Sequence, residues 1–300
     1  MVIARANDAC VEGFSSISRI RFLYSDVSEI SRKLCELRDY SLLSSSCLAQ
    51  MLAGAALLGM GLAESDDMIV LDTESDGLLG GCHLEMTGHG CMRGYVQNRM
   101  LQSINAKNSM DRNDRDLTLK DIWGSHGKVR FSRTDTTDKI VSQIFFEMSK
   151  CHSENIFEDF FGAGFKMPAC VNIVATTLNN EIDRARALAM LGMPDSNTKD
   201  FMRLKQLFND GTVAEQLEYD ASLSTMREVF DMPDILTGPT RTLQFGCSCS
   251  RQRSEDAIAS LPKAELAGLS NSGSGKTFQC HLCGKTYFIP PELIDHFAKQ

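Results

Sequence analysis

The chain has 300 residues, of which 43% are hydrophobic and 23% are charged, so it is long enough for a substantial core and for two domains. Its formal net charge is −8, and the segment 246–300, with six Lys/Arg and five Asp/Glu, is close to neutral. The acidic charge therefore lies in residues 1–245. This balance argues against nucleic acid as the main partner, because phosphate binding requires a basic surface.

Cysteine content and the apolar runs indicate the cellular setting. Eleven cysteines are present, and the first residues lack the basic stretch and apolar run of a signal peptide. We therefore expect a reducing compartment, the cytoplasm or an organelle, in which thiols are the default state. The most apolar run, 47–63, contains Gln50 and is short for a membrane span, so we expect a buried helix and no membrane association.

The first elements predicted along the chain are one strand and two helices. Residues 19–24 predict a strand that leads into a helix at 27–37, which Ser25 or Asp26 would cap. The apolar helix follows at 42–62. These three elements together predict a sheet packed against helices.

Several short strands follow, separated by glycine-rich breaks. The sequence Ser75-Asp76-Gly77 predicts a hairpin turn between two of them, and the polar segment 105–116 is expected to be a mobile loop. Strands are predicted at 68–71, 79–86, 91–97, 128–133, 140–148, 169–176 and 185–193, with 140–148 also open to a helical assignment, and a short helix is predicted at 155–161.

The pattern changes after Pro194. Apolar residues recur at helical spacing at 201–208 and in two shorter runs within 213–230, so three amphipathic helices are expected. Residues 195–245 carry nine Asp/Glu and five Lys/Arg, which indicates an acidic helical linker that ends near Gly238-Pro239.

These elements predict an α+β fold with three parts. A core of mixed β-sheet and helices precedes the acidic helical stretch, and a small domain follows it. The predicted boundaries are a core domain at 1–194, a helical linker at 195–245 and a C-terminal domain at 246–300.

Four cysteines near the C-terminus form two close pairs, Cys247-Ser-Cys249 and Cys280-His-Leu-Cys283. Two pairs of soft thiolates separated by one loop have the spacing of a tetrahedral Cys₄ zinc site. The same thiolates can be oxidised, so the segment can stabilise a small fold, sense redox state, or do both. The alternative is four buried cysteines without a metal. His281 is expected to be exposed and outside the ligand set.

Three weaker patterns favour ordinary structure over chemistry. The run 272–277, Ser-Gly-Ser-Gly-Lys-Thr, lacks the first glycine and the preceding strand of a phosphate-binding loop, so a flexible loop is expected. The acidic run 72–77 lacks the last ligand of a calcium loop. In the predicted hairpin, alternation places Cys82 in the core and His83 on the opposite face. No nucleophile–base arrangement or dinucleotide fingerprint is present, so an enzyme is not predicted.

With these residues in hand, the chain resembles the 33 kDa chaperonin family, the redox-regulated heat-shock chaperones. The specific matches are 245–253, 257–262 and 278–288, which include both cysteine pairs. A weaker match covers the apolar helix and the run Glu158-Asp-Phe-Phe161. The family often has a further cysteine where this chain has Ser254, but that cysteine is not a family zinc ligand.

The resemblance implies a reduced, zinc-bound, resting form and an oxidised, zinc-free, active form. The active form would hold unfolding proteins without ATP and would tend to dimerise. The implied zinc ligands are Cys247, Cys249, Cys280 and Cys283. On oxidation we expect near neighbours to pair, Cys247 with Cys249 and Cys280 with Cys283, because short spacing gives a high effective concentration.

The same switch follows from the energetics of a small metal-dependent domain. Structural zinc contributes roughly 10–16 kcal/mol of apparent binding free energy, which is also folding free energy. A domain as short as 246–300 has too little core to stand alone. Its unfolding would release the helices at 201–230 and expose apolar surface to which client proteins can bind.

Two other function classes remain open from the sequence. A zinc-ribbon regulatory or nucleic-acid-binding protein would show a basic stripe, which the acidic composition does not provide. A zinc-dependent enzyme would keep one coordination position for water, and four thiolates leave none.

Overall fold

The structure, a computed structural model, describes residues 8–62, 67–101, 117–135, 137, 139–148, 150, 152–219 and 222–299. The chain divides into two compact units, Met1–Phe245 and Gly246–Gln300. Both units contain strands and helices, which confirms the predicted α+β class. The predicted loop at 105–116 lies outside the described residues.

The elements of the two units follow one another along the chain. Those of the first unit are β1 Ala9–Ser15, β2 Ile20–Asp26, α1 Ser28–Arg38, α2 Leu42–Leu62, β3 Met68–Ser75, β4 Gly81–Thr87, β5 Cys91–Val96, α3 Leu119–Trp123, β6 Gly127–Thr134, β7 Ile140–Glu147, α4 Ser153–Phe165, β8 Ala169–Leu178, β9 Glu181–Gly192, α5 Thr198–Asn209, α6 Thr212–Tyr219, α7 Leu223–Val229, β10 Ile235–Thr242 and β11 Gln244–Phe245. Those of the second unit are α8 Arg251–Ala259, α9 Lys263–Asn271, β12 Lys276–Gln279, β13 Thr286–Ile289 and α10 Pro291–Ala298.

Two sheets form the framework of the first unit. Sheet A has the strand order β10-β1-β2-β9-β8 and is antiparallel throughout. Sheet B has the order β11-β5-β4-β3-β6-β7 and is antiparallel except for the short parallel pair of β11 and β5. Segment 140–148, for which a helix was the alternative, is strand β7.

Helix α2 packs against both sheets. It contacts β2, β8 and β9 of sheet A, and β4 and β5 of sheet B. Two glycines permit these close approaches, because a Cβ atom would collide with Phe157 at Gly54 and with Met86 at Gly59. The helix is long and apolar enough to cross a membrane by length and composition, but 78% of the stretch Leu42–Met60 is buried inside the protein. The predicted buried helix is thus confirmed.

Helices α5, α6 and α7 pack on sheet A. Together with the sheet they form a second core, which is distinct from the core around α2. Phe22, Leu188 and Met190 of the sheet pack with the apolar faces of the three helices. Phe230, which directly follows α7, stacks on Phe22 with ring centroids 5.2 Å apart and on Phe208 at 6.3 Å. The apolar faces of the predicted amphipathic helices therefore pack against sheet A.

The start of α1 agrees in part with the prediction, which placed the cap at Ser25 or Asp26, because the Asp26 carboxylate accepts a hydrogen bond from the backbone amide of Ser28 at 3.1 Å. Helix α1 begins at Ser28, and its preceding residue, Val27, provides no side-chain cap. The carboxylate of Asp8 accepts hydrogen bonds from the backbone amides of Glu29 at 3.0 Å and Ile30 at 2.6 Å. Asp8, which is distant in sequence, therefore supplies the acceptor for these next two amides, and local pattern cannot indicate it.

The second unit is a hairpin surrounded by three short helices. Strands β12 and β13 pair antiparallel, with Lys276 opposite Ile289 and Gln279 opposite Thr286. Helix α10 packs against α8 and α9, and α8 packs against β13. The buried side chains of its apolar cluster are Ile258, Leu266, Ile289 and Ile294.

Candidate metal centre

The four cysteines of the two pairs come together in the second unit. Their sulfur atoms all lie within 4.8 Å of one another. Cys247 Sγ is 3.8 Å from Cys280 Sγ, and Cys249 Sγ is 3.3 Å from Cys283 Sγ. Four thiolates around zinc at ~2.3 Å would be separated by about 3.8 Å, so the observed spacing is close to that of a tetrahedral site.

The turn between β12 and β13 holds the second pair. The backbone amide of Cys280 donates to the carbonyl of Lys285 at 2.8 Å, and the amide of Gly284 donates to the carbonyl of Cys280 at 2.9 Å. Gly284 has φ +75°, a backbone conformation that glycine adopts without strain. This turn buries Cys283 completely while Cys280 stays partly accessible.

The first pair lies directly before helix α8. Ser250 caps that helix, since its hydroxyl accepts a hydrogen bond from the backbone amide of Arg253 at 3.2 Å. The Arg253 guanidinium donates to the hydroxyl of Ser248 at 2.8 Å, between the two cysteines. The helix start therefore fixes the loop that carries Cys247 and Cys249.

Hydrogen bonds from the second hairpin strand reach one sulfur of each pair. Burial raises the pKa of the Cys249 thiol, and the Tyr287 hydroxyl, 3.1 Å from its sulfur, opposes this rise. Burial also raises the pKa of the Cys283 thiol, against a hydrogen bond from the backbone amide of Lys285. Without metal, Cys249 and Cys283 are therefore thiols near neutral pH, and a bound metal must displace their protons.

The donor set fits zinc better than a hard cation. Four sulfur ligands suit a soft or borderline-soft metal, and oxygen ligands are what magnesium and calcium require. Zinc bound by all four thiolates would have no open position for water or substrate. The arrangement can therefore stabilise the fold of the small unit and can be oxidised, but it does not present a metal-activated water.

The remaining sequence predictions around the site can now be placed. His281 is exposed and does not belong to the cysteine cluster, as expected. The run 272–277 connects the end of α9 to β12, so the order is helix, turn, strand, the reverse of a phosphate-binding loop.

The 82–91 hairpin is ordinary structure. Cys82 is buried, and His83 on the opposite face bonds Asp72 at 2.5 Å and Glu85 at 3.1 Å. Among the described residues, the cluster at the C-terminus is the one group of His, Cys, Asp or Glu side chains close enough to hold a metal.

Sequence reasoning did not single out Tyr287. This residue lies in β13, and its proximity to the Cys249 sulfur depends on the register of the hairpin. The available signal was the position of Tyr287 shortly after the second pair, in a segment of strand-forming residues.

Comparison with known proteins supports this picture. The model of the Hsp33 protein family matches residues 8–290. The 33 kDa chaperonin of Lactiplantibacillus plantarum is 23% identical over 252 residues, 81% of each chain, and that of Ruminiclostridium cellulolyticum is 21% identical over 94% of each chain. The crystal structure of the 33 kDa chaperonin from Thermotoga maritima is similar with a TM-score of 0.83, at 17% identity over 98% of both chains.

Proposed function

Because the chain belongs to the Hsp33 family, we propose that it works as a redox-regulated, ATP-independent holdase chaperone. In the reduced state, zinc held by Cys247, Cys249, Cys280 and Cys283 would keep it inactive. Oxidation of the cysteines would release the metal and produce the form that binds unfolding proteins. The observation that carries the proposal is the cluster of four sulfur atoms within 4.8 Å of one another.

The resting state depends on how little apolar core the second unit has. Its apolar cluster has four buried side chains among the described residues, and they lie on short helices and one hairpin strand. When bound, zinc would supply the positive charge that holds four thiolates together. The cysteines would then contribute most of the free energy of folding for this unit.

The activating step converts each cysteine pair to a disulfide. With hydrogen peroxide as the oxidant, two thiols lose two protons and two electrons, one S–S bond forms, and the peroxide is reduced to two waters. We propose the pairs Cys247–Cys249 and Cys280–Cys283, in which few residues separate the reacting sulfurs. Each disulfide removes two ligands, so the metal cannot stay bound with its original affinity.

The client-binding surface would come from the region before the cysteines. Helices α5 to α7 cover an apolar face of sheet A that includes Phe22 and Met190. The chain passes from these helices through β10 and β11 directly into Gly246. We propose that 195–245 is a redox-responsive linker, that the core at 1–194 binds clients, and that 246–300 is the switch. Loss of order in the switch would loosen the linker and expose both apolar surfaces.

The partners in this proposal are unfolded or partly unfolded proteins, and the active form would be a homodimer. A cytoplasmic location agrees with the many cysteines, which a reducing compartment keeps as thiols. The acidic charge of the chain disfavours nucleic acid, and α2 is accounted for by the core and not by a membrane. The role is binding and not catalysis, because four thiolates close the metal site to substrate.

The decisive experiment measures zinc content and suppression of aggregation in the same samples. The reduced protein should carry one zinc per chain and suppress aggregation of an unfolding client poorly, and peroxide should release the metal and raise suppression without nucleotide. Cys280→Ser should weaken zinc binding, while Cys91→Ser, at a partly exposed cysteine outside the cluster, should not. Equal suppression in both redox states would contradict the switch, and none in either state would contradict the chaperone function.

A further inference from the structure

Tyr287 connects the second strand of the hairpin to the first cysteine pair. It belongs to β13, directly after the turn that carries Cys280 and Cys283. Its hydroxyl oxygen lies 3.1 Å from Cys249 Sγ and 3.0 Å from the backbone carbonyl oxygen of Cys249. One side chain of the second hairpin strand thus contacts both the sulfur and the main chain of the first pair.

The hydroxyl has one hydrogen and two acceptors within reach. While Cys249 is a thiol, its S–H can donate to the tyrosine oxygen, and the tyrosine O–H can donate to the carbonyl. A metal-bound Cys249 has lost its hydrogen, so its sulfur becomes a negatively charged acceptor beside the hydroxyl. Hydrogen bonds to ionised acceptors are roughly twice as strong as those between neutral groups, which favours the sulfur over the carbonyl.

We propose that Tyr287 is a positioning residue of the metal centre, which donates its hydroxyl hydrogen to Cys249 Sγ whenever that sulfur is a thiolate ligand. Through this hydrogen bond it would set the metal affinity of the site and the reactivity of the first pair toward peroxide. The inference rests on the proposed function, because it assumes that the four cysteines bind metal. The hydrogen-bonding partners of metal ligands commonly change affinity by 10–100-fold when they are lost.

The effect on oxidation follows from electron density at the sulfur. In the first step the Cys249 thiolate attacks hydrogen peroxide, an S–O bond forms, the O–O bond breaks, and the departing hydroxide takes up a proton. In the second step the Cys247 thiolate attacks the oxidised sulfur, the S–S bond forms, the S–O bond breaks, and the departing hydroxide takes up a proton and leaves as a second water. A hydrogen bond to Cys249 withdraws electron density from the attacking atom, so its removal should accelerate the first step.

The test compares Tyr287→Phe with wild type in the full chain. We expect Tyr287→Phe to bind zinc about 10-fold more weakly in competition with a chromophoric chelator. With cobalt in place of zinc, we expect the thiolate-to-metal charge-transfer band to shift, since hydrogen bonding to sulfur changes its energy. Peroxide should also release zinc several-fold faster from Tyr287→Phe than from wild type, by roughly the factor by which the zinc affinity of the variant is lower. Tyr219→Phe, at an exposed tyrosine, is the matched control and should change none of these.

A second replacement separates hydrogen bonding from packing. Exchange of Tyr287 for 4-aminophenylalanine keeps the ring and restores an N–H donor, so affinity and the cobalt band should return toward wild type. Recovery supports the proposal even if Tyr287→Phe fails to fold, because the two variants differ in the donor group. The proposal is overturned if Tyr287→Phe matches wild type in affinity and band position, or if 4-aminophenylalanine is as impaired as phenylalanine. Absence of metal from the wild-type protein would instead refute the proposed function.

Discussion

The two units of the protein obtain their stability in different ways. In the first, the 21-residue helix α2 is buried between two sheets, and sheet A carries a second core under α5 to α7. In the second, an apolar cluster of four buried side chains and one cysteine cluster hold three helices and a hairpin. We expect the α2 core to keep its structure whatever the state of the cysteines, because it is large, whereas the second unit should depend on them. One chemical event would then unfold the second unit and leave the α2 core of the first unit folded.

Removal of the metal should produce the largest difference in stability between the two units. Chelation, or Cys283→Ser, should unfold the second unit, because it removes a contribution of roughly 10 kcal/mol or more. Hydrogen exchange should become fast at the Cys280 and Gly284 amides and stay slow in β2 and β9. Cys91→Ser is the control at a cysteine outside the cluster. Retained protection at both amides without metal would show that the second unit folds on its own.

Oxidation should also lower the stability of the linker at 195–245. After treatment with peroxide, α5 and the region 217–230 should lose hydrogen-exchange protection, while the strands between Met68 and Gln97 should keep theirs. The physical reason is that the helices are stabilised mainly by packing on sheet A, since isolated helices of this length are marginal in water. Peptide mapping of the same sample checks the disulfides, and dominant joining of Cys247 or Cys249 to the second pair would contradict the proposed pairing.

Phe230→Ala tests whether the linker alone controls activity. This side chain is fully buried and stacks on Phe22 and Phe208, so truncation should cost about 3–5 kcal/mol. We expect the reduced, zinc-loaded variant to suppress client aggregation without peroxide. Phe157→Ala is the matched control, because it removes an equally buried ring from the α2 core and leaves α5 to α7 in place. Similar activity in both variants would indicate general destabilisation.

Edge strand β8 offers a smaller test of the first unit. Carboxylates of α4 accept from its outward-facing amides, Glu158 from Val171 at 3.0 Å and Glu154 from Ile173 at 3.0 Å. Glu158→Ala should cost about 1–3 kcal/mol, because it leaves a buried amide without its acceptor. Glu158→Gln keeps an acceptor oxygen and should cost less. Urea unfolding of both variants measures the difference, and equal costs would mean that the charge matters more than the acceptor.

Much of this architecture could be predicted because local pattern and long-range packing agree. Alternation in 68–97 indicated the strands and the inward direction of Cys82, and helical spacing indicated the helices after Pro194. The clustering of the four cysteines could be predicted because metal sites of this type use short sequence spacings. Each of these features is defined by a few residues that lie close together in the sequence.

The unpredicted elements depend on contacts between distant parts of the chain. Strand β10 contains Pro239, which indicated an end to structure, but β10 lies at the edge of sheet A, where a missing amide is tolerated. Strand β1 contains Gly13, where a Cβ atom would lie 3.0 Å from the Leu223 side chain and 3.2 Å from that of Ile235, closer than ordinary contact. The Tyr287 contact likewise depends on hairpin register. Each of these sequence features can be interpreted only when the segment that packs against it is known.

The outer face of sheet B carries a network of charged side chains. We expect this network to have the smallest effect on the free energy of unfolding. His83 lies between Asp72 and Glu85, which also bind the guanidinium groups of Arg130 and Arg93. Hydrogen bonds to these two carboxylates, chiefly Asp72, raise the pKa of His83 to about 9 from its ordinary value near 6.5.

This shift predicts how stability depends on pH. Between about pH 6.5 and 9 the folded protein holds a proton that the unfolded chain has lost, so the free energy of unfolding should fall as pH rises through this range. The contribution is complete below the unfolded pKa, and solvent screening of a partly exposed histidine limits it to about 1–2 kcal/mol. His83→Gln should therefore destabilise the zinc-loaded protein more at pH 6 than at pH 9.5, as measured by urea unfolding. Since both proteins keep the same cysteines, the difference between them cancels any titration of the metal centre. A constant difference at all pH values would show that His83 contributes packing and hydrogen bonds but no linked proton.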